Sequence, residues 1–256
     1  MKSLLTALAL TGLVMMTGCR TVPLTGRSQF ILTSVETEKS MGLSAFNEYK
    51  GKLPRSTNAT YNAAMDNCAR ALIKATQYKE YDWEYTVFQS KTQNAFCLPG
   101  GKIAVYTGIM DIMNNEAELA FVVAHEIAHA LARHSGEQMA WGAVQSMGVS
   151  VLKESGYGSA FESASEYGVM LPFSRKHEYE ADQMGLLLMA KAGYNPRAAI
   201  EFWSRFTAGS ASSSLNGWMS THPADADRIQ AMRRYLPAAE AEYARATSKK
   251  GYGMSI

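Results

Sequence analysis

The spacing of hydrophobic positions changes several times along the chain, and each change marks an element. In 35–49 (VETEKSMGLSAFNEY) and 59–76 (ATYNAAMDNCARALIKAT) apolar residues return every three or four positions, predicting two amphipathic helices. The stretch 82–90 (DWEYTVFQS) alternates in strand fashion with aromatic and β-branched residues. Residues 94–110 predict two short strands joined around Pro99-Gly100-Gly101, the second running from Lys102 to Tyr106. A buried helix follows over 114–134, with Asn114 or Asn115 as cap and acidic residues in its first turn.

SGEQ at 135–138 has the form of a capping box for a further helix to about Glu154. The Gly/Ser-rich stretch 155–165 reads as a loop, and 173–194 as mostly helix until Gly193. Asn195-Pro196 restarts a helix through about Phe206, with Asn as cap and Pro at its first position. A second soft stretch, 208–217, precedes a last helix started by Pro223. The pattern predicts an α+β domain, predominantly helical, with one small antiparallel sheet.

A length of 256 residues, 47% of them hydrophobic, suits one globular domain with a substantial core. The net charge of +2 gives no electrostatic reason to expect nucleic acid as a partner. Lys2 and the apolar run Leu4 to Met16 read as a targeting segment, too short to span a bilayer comfortably. It ends in MTGC, 16–19, which resembles a bacterial lipobox, so that cleavage would leave Cys19 as a lipidated first residue. The expected organisation is a signal peptide at 1–18, a lipidated polar tether at 19–34 and a catalytic domain at 35–256. Arg20 after the cysteine, in place of aspartate, points to the outer membrane and the periplasm. Lipidating Cys19 leaves Cys68 and Cys97, which would either pair as a disulfide in an oxidising compartment or stand as two buried thiols.

The candidate chemistry sits in VVAHEIAHALARH, 122–134. At about 100° per residue, His125 and His129 project within about 40° of each other on one helical stripe and can share one metal ion. Glu126 points to the flank of that stripe, where it can act on an activated water without being a ligand. His134 lies about 140° further round by the same count and is not expected to be a ligand. The third ligand must come from elsewhere, and EYEAD, 178–182, offers three carboxylates. Glu178 and Asp182 share a face, so a helix presenting the first to a metal would bring the second near a ligand histidine and fix its tautomer. Glu180 points nearly opposite, toward solvent or an ion pair.

NAF and PGGKIAVYTG (94–108), HEIAH (125–129), FSRKHEYEAD (173–182) and THPADADR (221–228), in this order, resemble a known family. It is that of the zinc endopeptidases related to the CAAX prenyl protease and the bacterial heat-shock protease, particularly the soluble lipoprotein and mitochondrial OMA-type branch. The resemblance spans roughly residues 80 to 236. It implies a zincin-like fold and one Zn2+ per chain, with Glu178 as third ligand and Asp182 behind a ligand histidine. It also turns His222 toward the site, with Arg228 following. His222 could donate a hydrogen bond to the oxyanion of the tetrahedral intermediate, with Arg228 as an alternative donor, or could fill the open zinc position; the oxyanion role is the one expected. His134 and His177 are read as structural.

On this reading Glu126 is the general base, and the strand Lys102–Tyr106 lies at a sheet edge where it holds extended substrate by main-chain hydrogen bonds. The expected substrates are unfolded or misfolded cell-envelope proteins, with the membrane reached through the N-terminal lipid. The rival from another class is a non-catalytic assembly factor or chaperone with purely structural zinc.

Overall fold

The computed structural model describes residues 19–154, 173–209, 217–223 and 226–251. The targeting segment 1–18, the expected loop 155–165 and most of the stretch 208–217 lie outside the described residues. In chain order the elements are β1 (Cys19–Thr21), β2 (Ser28–Phe30), α1 (Val35–Lys52), α2 (Ala59–Thr76), β3 (Glu84–Phe88), β4 (Ala95–Leu98) and β5 (Lys102–Tyr106). They continue with α3 (Thr107–Met110), α4 (Glu116–Leu131), α5 (His134–Glu154), α6 (Arg175–Lys191), α7 (Arg197–Gly209), α8 (Gly217–Thr221) and α9 (Ala226–Arg245). Side-chain caps set four of the helix starts: at α1, Ser34 accepts the Thr37 N–H. Asn58 accepts the Tyr61 N–H, Asn115 that of Glu118 and Ser174 that of His177.

Helix α4 is buried from Glu116 to Ala130, as a helix apolar on nearly every side must be. Helix α6 packs along it and α9 packs in turn on α6, while α2, β4 and α7 cover the other faces of α4. Gly185 is the contact point of α4 with α6. A Cβ there would lie 3.1 Å from both Cα and N of His125, so a side chain would push apart the two helices that build the site.

The sheet corrects two expectations. Its order is β3-β5-β4, so Lys102–Tyr106 is the central strand and not an edge. All five residues of β5 are buried, which fits a strand paired on both sides. Strand β4 forms an edge, and because β3 runs parallel to β5 the sheet is mixed rather than antiparallel.

Residues 19–34, read as a tether, are packed on the domain. Strands β1 and β2 form an antiparallel pair, and Val22 is buried against Ala128, Ala132, Ala181 and Met184. Arg27 forms a fork with Glu137, at 2.9 and 2.7 Å. Helix α5 begins at His134, so Ser135 lies inside it instead of capping it. The chain turns there through Arg133 at φ 55, whose guanidinium is held by Glu38 at 3.0 and 2.8 Å. The two remaining cysteines are not paired. Cys68 on α2 and Cys97 on β4 are free and buried, the first with its thiol 3.4 Å from the Glu116 carbonyl. Among the described residues no helix is long and apolar enough to cross a membrane.

Candidate metal centre

Helix α4 presents His125 and His129 one turn apart, and the close approach at Gly185 brings Glu178 and Asp182 of α6 against them. The short helix α8 leads into His222, whose N–H donates to the Trp218 carbonyl at 2.8 Å. His125, His129, Glu178 and His222 are all buried, and each offers an atom within 4.8 Å of the others. His125 Nε2 lies 3.1 Å from His129 Nε2 and 3.3 Å from His222 Nδ1. Glu178 Oε1 lies 3.1 Å from His222 Nδ1 and 3.4 Å from His129 Nε2, while its Oε2 is 3.6 Å from His125 Nε2.

These atoms fit a metal ion. Ligands about 2.0–2.1 Å from a tetrahedral centre stand about 3.3–3.4 Å apart, close to the spacings seen here. The chemistry agrees, because three ring nitrogens and a carboxylate oxygen can each present a lone pair to one cation. The surroundings favour positive charge at His125, whereas burial holds the His129 pKa well below its ordinary value. Burial opposes a charged His125, but Asp182 and Glu178 outweigh it and raise its pKa to about 9. Burial likewise opposes ionised Glu178, yet His222, His125 and His129 hold its pKa well below the usual carboxylate range.

Behind the donors, Asp182 Oδ1 lies 3.0 Å from His125 Nδ1, within ion-pair distance though not aligned as a hydrogen bond. Arg228 Nε and Nη2 donate to the two oxygens of Asp182, both at 2.8 Å. Its Nη1 donates to the Pro223 carbonyl at 3.0 Å and lies 2.6 Å from Glu178 Oε2. All three guanidinium nitrogens of Arg228, the alternative oxyanion donor, are engaged with two acidic residues of the site. Glu126 stands beside the donors, where its Oε1 accepts from the Trp218 indole at 2.6 Å and lies 3.3 Å from His222 Nε2.

The cleft in front is narrow. It runs between β4 and the site residues Glu126, His129, Phe173 and His222, with about 30 Å³ free. That is room for a water or two and not for a peptide. The edge strand that lines this cleft is β4, not β5.

Sequence reasoning missed three contributors. Trp218 was recoverable, since it stands four residues before His222, one helical turn away. Phe173 stacks on His129 with ring centroids 4.0 Å apart, and no periodicity marks it. His134 is no member of the donor group, yet its Nδ1 lies 2.9 Å from His129 Nδ1.

Two histidines a turn apart, a carboxylate from the crossing helix and a glutamate at their side give a protein the means to hold an ion and move a proton beside it. That combination on a mostly helical α+β frame is the mark of a metallopeptidase. Residues 59–236 match peptidase family M48, and the chain belongs to that family as a metalloendopeptidase. It is 37% identical over 236 residues to the mitochondrial metalloendopeptidase OMA1 of Schizosaccharomyces pombe, covering 89% of this chain and 68% of the relative. The human mitochondrial metalloendopeptidase OMA1 is 29% identical over 247 residues, 85% of this chain and 46% of the relative. The beta-barrel assembly-enhancing protease of Escherichia coli K12 is 24% identical over 195 residues, 71% of this chain and 40% of the relative. The chain thus spans less than half of the last two.

Proposed function

We propose that the chain is a zinc-dependent endopeptidase that cleaves unfolded or damaged proteins of the cell envelope, and that the described state is its closed form. The observation that carries the reading is the convergence of His125, His129 and Glu178 on one point with Glu126 beside it. A single zinc ion held there would supply Lewis acidity toward water and the scissile carbonyl. Glu126 takes the proton of the attacking water and returns it to the leaving amine. Asp182 orients His125, and Arg228 fixes Asp182 and Glu178 in turn. The β4 edge binds extended substrate through main-chain hydrogen bonds, which are largely blind to sequence and suit unfolded segments.

The closed form rests on a separate observation. His222 Nδ1 points among the three donors, where an open position would be, and the Trp218 indole holds Glu126. This geometry favours His222 as a plug in this state over its role as an oxyanion donor. Four filled positions are also what a purely structural zinc would have. The intact Glu126 and the membership of a peptidase family speak against that rival.

The envelope setting is supported by the MTGC stretch and by the name of the Escherichia coli relative, which joins a protease to β-barrel assembly. Lipidated Cys19 would anchor the chain at the outer membrane, facing the periplasm. Replacing it (Cys19→Ser) should release the protein from membranes or leave its precursor uncut; membrane retention with normal processing would refute the anchor. The activity is tested by incubating purified protein with unfolded casein beside a Glu126→Gln control. Chelator-sensitive cleavage by the first alone supports the reading, and equal cleavage by both refutes it.

A further inference from the structure

The two ligand histidines are backed differently. His125 meets a carboxylate, Asp182, behind its ring. Behind His129 stands another histidine: its Nδ1 lies 2.9 Å from Nδ1 of His134. His134 Nε2 in turn lies 3.0 Å from Glu180 Oε2. Both residues are buried, and His134 is 0% exposed. Glu180 is fixed from the other side by Arg27 Nε at 2.7 Å and by the Thr25 hydroxyl, both of the N-terminal hairpin.

We infer that His134 and Glu180 are positioning residues that fix the tautomer and ring orientation of His129, on the reading of His129 as a metal ligand. The argument is one of proton count. A His129 that turns Nε2 to a metal carries its proton on Nδ1, so that atom donates. His134 Nδ1 must then accept, which places the proton of neutral His134 on Nε2. That N–H points at the Glu180 carboxylate, which accepts it. Every atom in the line has a partner of the right kind, and only one arrangement of protons satisfies all of them. The carboxylate–histidine–metal pattern is here lengthened by one imidazole, and it ends on a segment remote in sequence from the motif.

Zinc affinity of the full chain, read by competition with a chromogenic chelator, tests the inference through a pair of variants. His134→Asn keeps an acceptor oxygen close to the place of Nδ1, whereas His134→Gln reaches toward Glu180 and leaves His129 Nδ1 without its acceptor. The glutamine variant should bind zinc roughly ten- to a hundredfold more weakly, the usual effect of losing such a partner. The asparagine variant should stay within about threefold of wild type by the same measure. A merely structural role would lower the melting temperature of both metal-free proteins alike and leave zinc affinity the same in the two variants; that outcome overturns the inference. If either variant fails to fold, Glu180→Gln replaces the pair. It removes the charge while keeping an acceptor, and should weaken zinc binding severalfold; unchanged affinity overturns the inference. Wild-type protein that takes up no zinc would refute the metal reading itself, a result distinct from normal uptake with an unchanged glutamine variant.

Discussion

The four donor atoms stand on two kinds of support. His125, His129 and Glu178 belong to helices of 16 and 17 residues, α4 and α6, packed together at Gly185. Their braces lie behind them: Asp182 and Arg228 on one side, His134 on the other. His222 follows a helix of five residues. That short segment is held by the Trp218 indole on Glu126, the Trp218 N–H on the Gln93 carbonyl and the Phe173 N–H on the Thr221 carbonyl, and by the Trp218 ring packed among Phe202, Trp203 and Phe206. On the proposed reading, a metal-holding unit braced from outside and a closing unit that meets the general base through the Trp218 and His222 contacts to Glu126 are separable. Substrate competing for Glu126 and β4 would loosen the second without loosening the first.

Three substitutions sharpen the contrast from the side of the holding unit. Glu178→Ala should abolish both zinc uptake and proteolysis, because losing one of three protein ligands weakens binding severely. Full zinc occupancy in that variant, by metal analysis, would mean that Glu178 is no ligand. Glu126→Gln should keep its zinc and its fold while losing about 10²- to 10⁴-fold in rate, since an amide cannot take the proton. Asp182→Asn should weaken zinc binding by roughly ten- to a hundredfold. Chelator competition indistinguishable from wild type would remove Asp182 from the braces.

The contrast also explains what could be read from the chain. Helix α2 and strand β5 have the residue ranges that local pattern predicts, 59–76 and 102–106, because cap, periodicity and turn residues all lie within a few positions. The place of β5 at the centre of the sheet was not legible, since its pairing with β3 joins segments that no local pattern relates. Helical geometry placed His125 and His129 on one stripe with Glu126 at its flank, and Glu178 with Asp182 on one face; the choice of Glu178 among the three carboxylates of EYEAD came from the family resemblance. His134 was read as structural and no ligand, and it is no member of the donor group, but its contact with His129 was not legible, for a physical reason. The angular count presumes an unbroken helix, but α4 ends at Leu131 and Arg133 takes a left-handed conformation. The ring of His134 then folds back onto His129 rather than standing away from it. Glu180 does point away from the metal ligands, as its position predicts, and that direction leads it to His134 and Arg27. The stretch 19–34 looked like a tether because its few apolar residues show no period; Val22 and Phe30 nonetheless find buried places on the domain.

The closing unit is tested most directly by His222→Ala, assayed for zinc content and for casein cleavage beside wild type. Three protein ligands remain in this variant, so it should keep its zinc, and the freed position should raise the rate severalfold while Glu126→Gln in the same background silences it. A fall of about 10²- to 10³-fold with zinc retained would instead mark His222 as a transition-state donor and contradict the closed form.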